Sequence, residues 1–579
     1  MMSSPRHSAD SGFLQEPPQL SNQYDADALL RSHLRRSVDP DVLRAIEPSL
    51  QQMGELAAGR LLDLARAHRR DEPVHVPFDP WGRRIDEVHV NDAWREYARV
   101  AAEQGLIALA YERAYGRFSR LQQFALVYLF HPSSQVYSCP LAMTDGCART
   151  LEVLGGGLGA TRDRILWHLT SRDTAQAWTS GQWMTERIGG SDVGLSETVA
   201  RSDGKGGFTL HGTKWFSSAV TSQVALTLAR PEGNGLGGKG LALFLVELRD
   251  AEQHLQNITV LRLKDKLGTR NLPTAELLLD GTPALAVAGL SDGVRNMGTM
   301  LNLTRTWNAV CAAATLRRGL ALARDFARRR VAFGATLAEK PLHLDTLADL
   351  AAVQQASFQL TFFAVELLGR QEAGELDANG ESLLRVVQPL AKLTTARHAV
   401  AAASEVLEAF GGAGYVEDTG LPELLRDAQV LSIWEGTTNV LALEVYRAVL
   451  RADSLSPALE QIRRRAEAAT HGSLREASGV ALRSADHLES WWSDTATRGA
   501  WLHEASARRF ALTLGRTLAL ALLVEHADWA LANERDGRAA EAARRYARSG
   551  VDLLCDAPRP PLATTRLALG DQALDPELL

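Results

Sequence analysis

The sequence predicts a mostly α-helical protein with one small β domain near its middle and an additional helical domain at its C-terminal end. Apolar residues recur every three or four positions in the first quarter and in the second half of the chain, as in amphipathic helices. Between about residues 175 and 290 the period changes to two, as in half-buried strands. A chain of 579 residues is also too long for a single hydrophobic core, so we expect several domains.

The first half of the chain is predicted to contain a tail, a helical domain and the β domain. Residues 1–24, rich in Ser, Pro and Gln, are expected to form a flexible tail. Residues 25–174 are predicted to be an N-terminal α domain, because helical spacing runs through segments such as 94–109. Residues 175–290 are predicted to be a middle β domain, since alternating segments such as 224–228 are separated by glycine-rich turns.

The second half is predicted to be helical throughout. Residues 291–450 are expected to form a four-helix bundle, because four long helical patterns follow one another. These patterns cover 302–330, 344–371, 383–410 and 439–450. Residues 451–579 are rich in Ala, Leu and Arg and are interrupted by Gly472, Gly499 and Gly537, so we expect an appended helical domain.

Composition excludes several classes of protein. With 45% hydrophobic and 23% charged residues the chain has the composition of a globular protein, and its net charge of −6 gives no overall attraction to nucleic acid or anionic membranes. The four cysteines show neither a CxxC pair nor metal-ligand spacing, so we expect no disulfide framework and no metal site. Without a signal peptide or a membrane-length apolar run, the protein is predicted to be cytoplasmic and not membrane-bound.

The β domain begins with a turn suited to a polar ligand. Small and hydroxyl-bearing residues there allow backbone N–H groups to reach carbonyl or phosphate oxygens. The turn contains Met184, Thr185, Gly190 and Ser191. A strand segment with Trp215 and Ser217 follows, and a Trp side chain can cover the face of an aromatic ring. Taken alone, each segment is also typical of an ordinary turn and a half-buried strand.

Two helix ends in the predicted bundle contain residues beyond those needed to end a helix. Arg330 and Phe333 end the first bundle helix, where basic residues also compensate the helix dipole. Gly411 and Gly412 end a later helix, although one glycine is enough for a C-cap. The extra glycine indicates that a bulky group approaches the backbone closely.

One carboxylate is placed where it can act as a base. Glu435 lies between Trp434 and Gly436, just before the segment 437–439 that begins the last bundle helix. An acid is also favoured near a helix N-terminus for purely structural reasons. A carboxylate among apolar neighbours, however, suits a general base.

In this order the stretches resemble the acyl-CoA dehydrogenase family over about residues 90–450. Segments 139–144, 262–270 and 414–418 resemble more specifically the AidB branch, flavoproteins of the bacterial adaptive response to DNA alkylation. The resemblance implies an N-terminal α domain, a barrel-like middle β domain and a four-helix bundle that hold FAD. It also accommodates an appended C-terminal helical domain.

The resemblance carries roles onto individual residues. It implies Glu435 as the catalytic base, which takes the proton α to the thioester carbonyl while the β-hydrogen leaves as hydride to the flavin. Some relatives carry the base on the first bundle helix, where this chain has Thr304, so Glu435 is the candidate. The implied substrate contacts are Ser191, Arg305 and Gly436. The implied FAD contacts are Met184, Thr185, Gly190, Ser191, Trp215, Ser217, Arg330, Phe333, Gly411, Gly412, Thr437, Thr438 and Asn439.

The resemblance also implies partners. Arg330, Phe333, Gly411 and Gly412 match segments that reach the FAD of a neighbouring subunit, which implies a homotetramer. An acyl-CoA or a related acyl compound is the implied substrate, and an electron-transfer flavoprotein is a candidate electron acceptor.

Two alternative functions stay open. The first is an AidB-like protective flavoprotein that binds DNA through its C-terminal domain and deactivates alkylating agents, with weak or no dehydrogenase turnover; the second is an acyl-lipid binding protein. Residues 451–579 contain 17 Arg, no Lys and 18 Asp or Glu, so this domain has no overall basic surplus for DNA. This domain has three arginine clusters: Arg463–Arg465, Arg508–Arg509 with Arg516, and Arg544–Arg545 with Arg548. They are predicted to be offset at helical spacing by Glu460, Glu467, Glu504 and Glu541.

Overall fold

The computed structural model describes residues 15–452, 454–495, 500–555 and 561–570. The helices are α1 (Ala28–Ser37), α2 (Pro40–Ala58), α3 (Arg60–Ala67), α4 (Asp92–Glu103), α5 (Ala108–Glu112), α6 (Ser119–Phe130), α7 (Ser138–Leu154), α8 (Ala160–Leu169), α9 (Gly293–Asn296), α10 (Gly298–Arg329), α11 (Pro341–Glu372), α12 (Ala378–Ala409), α13 (Pro422–Leu431), α14 (Thr438–Ala452), α15 (Leu455–Ala468), α16 (Arg475–Thr495), α17 (Ala500–Glu534), α18 (Arg538–Arg548) and α19 (Pro561–Leu569). The strands are β1 (Val74–Phe78), β2 (Arg84–His89), β3 (Ser180–Trp183), β4 (Val199–Ser202), β5 (Phe208–Ser218), β6 (Val224–Pro231), β7 (Ala242–Glu247), β8 (Ile258–Leu263), β9 (Thr274–Ala286), β10 (Val331–Ala332) and β11 (Ala335–Thr336).

The N-terminal region is built around α6, a helix in which every residue is buried. A helix that is covered on all sides forms the centre of a domain instead of its surface. An antiparallel hairpin of β1 and β2 interrupts the helices, with Val74 opposite His89. The sequence does not predict this hairpin, because both strands are short and largely solvent-facing and therefore show no apolar alternation.

Five strands of the middle domain close into a barrel. The ring runs β6, β4, β5, β9 and β7, and β7 pairs back with β6. Strand β3 adds parallel to β6, and β8 adds antiparallel to β9. The predicted barrel-like fold of the middle region is confirmed.

The predicted four-helix bundle is confirmed in α10, α11, α12 and α14. The short helix α13 was not predicted from the sequence. It packs on α10 and α12 and leads into α14. The appended helices pack on the bundle through α17, which contacts α11, α12 and α14. Among the described residues, the segment Trp501–Glu534 is long and apolar enough to cross a membrane, but 83% of its most apolar window is buried inside the protein, as expected of a core helix.

The described part of the predicted tail is not flexible. The Gln19 N–H donates to Asp325 Oδ2 at 2.9 Å, and Arg317 donates to Gln23 Oε1 at 2.5 Å, so this segment lies along α10. The prediction of a loose tail as far as residue 24 is therefore wrong for this part, because composition does not reveal partners about 300 residues away. Residues 1–14 of the predicted tail and, in the predicted appended domain, Gly499 and residues 571–579 lie outside the described residues.

Candidate active site

The turn that joins α13 to α14 holds Glu435 in a left-handed backbone conformation. Its φ is 57°, and that of Gly436 is 107°. For a residue with a side chain this conformation costs about 1–2 kcal/mol, so surrounding contacts must hold it. A Cβ at Gly436 would lie 2.9 Å from Leu441 Cδ2, so the turn requires glycine there for space as well as for φ.

Helix α10 fixes both side chains of this turn. Thr304 Oγ1 donates to Glu435 Oε2 at 2.7 Å, and Thr304 is itself buried. The Trp434 indole donates to Asn308 Oδ1. The carboxylate is thus set in one orientation by a hydroxyl group that is 131 residues away in the chain.

Arg305 is committed to protein groups. Its Nε donates to Glu435 O at 3.2 Å, and its terminal nitrogens donate to the two carboxylate oxygens of Glu444 at 2.6 and 2.8 Å. A bidentate pair of this kind occupies the guanidinium fork. The geometry gives Arg305 a role in orienting the turn, and direct substrate contact by this residue stays a prediction.

The first turn of α14 carries three more predicted FAD contacts. The Val440 N–H lies 3.5 Å from Thr437 Oγ1, and Thr438 is buried. Asn439 Oδ1 accepts a hydrogen bond from Arg508 on α17 at 3.2 Å. The appended helices therefore reach the end of α14 that lies beside Glu435.

A buried ion pair anchors the predicted flavin turn at residues 184–192. Lys214 Nζ lies 2.7 Å from Glu186 Oε1, and both side chains are buried. Burial raises the pKa of Glu186, but the Lys214 charge and hydrogen bonds from Glu197 and Thr198 outweigh burial and lower this pKa below its usual value. The turn is thereby fixed to β5.

Close packing inside the same turn explains one of its glycines. A Cβ at Gly190 would lie 2.5 Å from Thr185 Oγ1. Thr185 O accepts the Trp215 N–H at 3.0 Å, which continues the attachment to β5. Met184 packs against the main N-terminal hydrophobic cluster, as Trp434 does, while Ser191 is exposed. The turn and the Glu435 region therefore border one hydrophobic cluster.

On β5 the structure distinguishes two neighbouring aromatic residues. Lys264 Nζ lies 3.6 Å from the centroid of the Trp215 ring, so a cation already covers one face of this ring. Phe216 is exposed, and the same Lys264 Nζ lies 4.8 Å from the centroid of its ring. The register of β5 and β9 shifts between Lys214 and Ser217, and such a bulge changes which side chains face outward, which alternation cannot predict.

The residues predicted to reach a second subunit lie at the far end of α10. About 37 Å of helix separates Thr304 from Arg329, which Arg330 follows. Phe333 lies at the tip of the β10–β11 hairpin with φ 50° and is 98% exposed. Within one chain, Arg330 and Phe333 are therefore not brought to Glu435.

Gly411 and Gly412 lie beside this same end of the bundle. The rings of Phe326 on α10 and Phe410 next to Gly411 are 4.6 Å apart. Gly411 has φ 58°, and a Cβ at Gly412 would meet open space, which leaves room for a ligand or a partner. Gly414 is required by its contact with the end of α12, because a Cβ there would lie 2.0 Å from Leu407 O.

Comparisons with known proteins match the whole architecture. Four family profiles cover successive parts of the chain: "Adaptive response protein AidB N-terminal domain" at residues 15–168, "Acyl-CoA dehydrogenase, middle domain" at 181–282, "Acyl-CoA dehydrogenase, C-terminal domain" at 291–450 and "Acyl-CoA dehydrogenase 11 C-terminal domain-like" at 456–557. Acyl-CoA dehydrogenase family member 11 of Caenorhabditis elegans is 42% identical over 554 residues, which cover 93% of this chain and 89% of that protein.

The chain belongs to the acyl-CoA dehydrogenase family. The crystal structure of Caenorhabditis elegans ACDH-11 in complex with C11-CoA superposes with a TM-score of 0.93 at 38% identity and covers 98% of both chains. AidB of Escherichia coli is 29% identical over 457 residues, which cover 76% of this chain and 81% of AidB. This acyl-CoA dehydrogenase is therefore an FAD-dependent oxidoreductase with an AidB-like N-terminal domain.

The residues present fit FAD. Ser217 Oγ is buried and has no hydrogen-bond partner among the described residues, so it is available to a ligand beside the flavin turn. The turn itself is rigid because of the Glu186–Lys214 pair. At the other end of the bundle, a Cβ at Gly412 would meet open space and Phe333 is exposed, which leaves room there for a ligand or a partner.

Proposed function

We propose that this enzyme α,β-dehydrogenates an acyl-CoA thioester with Glu435 as the base that removes the α-proton. The observation that carries the proposal is the single orientation of the Glu435 carboxylate. Oε2 is held by Thr304 Oγ1, so the remaining carboxylate lone pairs stay available for a substrate proton. When FAD is bound, it accepts the β-hydrogen as hydride.

The backbone of the turn contributes a second function. The Glu435 N–H donates no hydrogen bond within the described part of the chain. It is therefore available to the thioester carbonyl oxygen, where negative charge develops as the α-proton leaves. A well-placed donor at such an oxygen lowers the barrier by about 3–4 kcal/mol.

The substrate class follows from the relatives. The C11-CoA bound to the Caenorhabditis elegans relative makes an acyl-CoA of similar length the first compound to test. We propose an electron-transfer flavoprotein as the acceptor that reoxidises the enzyme. The four cysteines are all free thiols, which supports a reducing, cytoplasmic location.

An anaerobic titration tests the proposed function. The purified yellow enzyme is mixed with short, branched and long acyl-CoAs, and the absorbance of the oxidised flavin is followed. We expect one class to bleach the flavin on a catalytic timescale. Tight binding of an acyl compound without bleaching, in an enzyme whose flavin dithionite still reduces, would favour the acyl-lipid binding alternative.

The AidB-like N-terminal domain keeps a DNA-protective role as a second candidate. Two of the three arginine clusters of the appended helices argue against DNA contact, because acids neutralise their charges. In the third cluster, Arg508 and Arg516 donate to the uncharged oxygens of Asn439 and Gly550. Arg463 pairs with Asp486 and Glu489, and Arg545 pairs with Asp345, Asp349 and Glu541. Only Glu541 is at the predicted helical spacing, and the other acids come from neighbouring helices.

Retention on a DNA column at low salt separates the two candidates. With two of these three arginine clusters paired to acids, the protein is expected to elute with the unbound fraction. Retention that falls steeply with salt, and that disappears in Arg544→Ala/Arg545→Ala/Arg548→Ala, would favour the protective role.

A further inference from the structure

A buried lysine lies beneath the turn that carries Glu435. Lys392, on α12, is 1% exposed, and its Nζ donates to Gly436 O at 2.6 Å. Among the described residues this carbonyl is the one hydrogen-bond acceptor of Lys392. Burying an ammonium group without a carboxylate in contact is costly, so its presence here needs a reason.

Two cations hold two successive carbonyl groups of the turn. Arg305 Nε donates to Glu435 O, and Lys392 Nζ donates to Gly436 O. These carbonyls belong to the two residues with positive φ. Fixing both peptide planes holds the left-handed backbone from which the Glu435 side chain projects.

The two cations are balanced differently. Glu444 neutralises Arg305 through its bidentate pair. Burial lowers the pKa of Lys392 to about 7, the negative charge of Glu435 opposes this shift, and Arg305 adds to it. Glu435 is thus the acid that balances Lys392, and protonation of this lysine is coupled to the turn.

We propose that Lys392 is a positioning residue of the dehydrogenase: its hydrogen bond to Gly436 O holds the Glu435 turn in its reactive conformation. This inference deepens the proposed function and rests on it. Lys392 contacts the turn through Gly436 O, and no contact with the Glu435 carboxylate or with substrate is assigned to it.

The test compares Lys392→Met, which keeps the length of the side chain and removes the donor, with wild-type enzyme in the FAD-loaded state. We expect the rate of flavin reduction by C11-CoA to fall about 10- to 100-fold, as for a misplaced catalytic group, while the Kd for the acyl-CoA stays the same. Thr395→Val is the matched control, because Thr395 is buried on the same helix and donates only to its own helix at Ala391 O. Lys392→Gln keeps an N–H donor without charge and serves if the Met variant does not fold.

The pH profile supplies a readout that a merely structural role would not change. A protonated Lys392 makes a charge-assisted hydrogen bond, which is stronger than a neutral one. The reduction rate of the wild-type enzyme is therefore expected to decline as the pH rises through about 7, and this decline should be absent in Lys392→Met.

Amide hydrogen exchange of residues 433–437 separates the inference from the proposed function. We expect faster exchange there in Lys392→Met and unchanged exchange in Thr395→Val. The inference would be overturned if Lys392→Met had the same flavin reduction rate, the same pH profile and the same amide exchange as the wild-type enzyme. If no acyl-CoA reduces the wild-type flavin, the proposed dehydrogenation fails, and the exchange result still decides whether Lys392 holds the turn.

Discussion

The hydroxyl group of Thr304 determines how Glu435 is presented. Thr304 occupies the position where some relatives carry their base, and here its Oγ1 donates to Glu435 Oε2 at 2.7 Å. If Glu435 is the base, as we propose, this helix position orients the base in this chain. The resemblance points to Glu435, but Thr304 lies 131 residues from it in the chain and Lys392 lies 44 residues from Gly436, separations that no local pattern reveals.

Replacing Thr304 tests this orientation. In Thr304→Val the shape is kept but the hydrogen bond is lost, so we expect flavin reduction by acyl-CoA to slow about tenfold, with a loss of about 1 kcal/mol in unfolding free energy. Stopped-flow absorbance measures the rate. Thr306→Val is the control, because Thr306 is also buried on α10 and its hydroxyl donates to Asn302 O. Equal rates of flavin reduction in the two variants would show that Thr304 does not orient Glu435 for the reaction.

At the scale of elements, the turn at 184–192 depends on β5 more than on its own sequence. The Glu186–Lys214 pair joins the two across 28 residues and is fully buried. Small residues predict a turn here, whereas the bulge in β5, which leaves Trp215 half-buried and Phe216 exposed, has no signal in the alternation. Long helices such as α10 were predicted to within a few residues, because their helical period extends over many turns.

Removing one partner of this ion pair has a larger effect than removing both. Lys214→Met leaves the Glu186 carboxylate buried without its counter-ion, which is expected to cost about 3–5 kcal/mol of unfolding free energy and to release FAD. The double variant Glu186→Gln/Lys214→Met removes both charges and should recover much of this loss. Urea unfolding and the flavin content of the purified protein measure both effects. A double variant less stable than Lys214→Met would contradict the account.

At the scale of the whole molecule, the predicted FAD contacts form two groups at opposite ends of α10. The Glu435 turn lies near one end, and Arg330, Phe333, Gly411 and Gly412 lie at the other. A separation of about 37 Å within one chain is explained when the second group serves the cofactor of a neighbouring copy, as the resemblance implies. Such a division could be predicted from the family but not from spacing in the sequence.

A charged residue at Phe333 tests the proposed homotetramer. Phe333 is 98% exposed, so Phe333→Asp leaves the fold of the single chain intact and introduces a charge into the proposed contact. We expect a smaller sedimenting species with less bound FAD. Trp81→Asp is the control, because Trp81 is 93% exposed on the β1–β2 hairpin. Unchanged mass and FAD content in Phe333→Asp would place the subunit contact elsewhere.

The central claim is that Glu435 removes the α-proton of an acyl-CoA. The most direct measurement is the rate at which C11-CoA reduces the flavin under anaerobic conditions in wild-type enzyme and in Glu435→Gln, which keeps the shape of the side chain and removes the base. The account predicts a fall of about 10²–10⁴-fold with acyl-CoA binding retained, because a positioned base contributes this much to proton removal. Reduction at the wild-type rate in Glu435→Gln would contradict the assignment of Glu435 as the base.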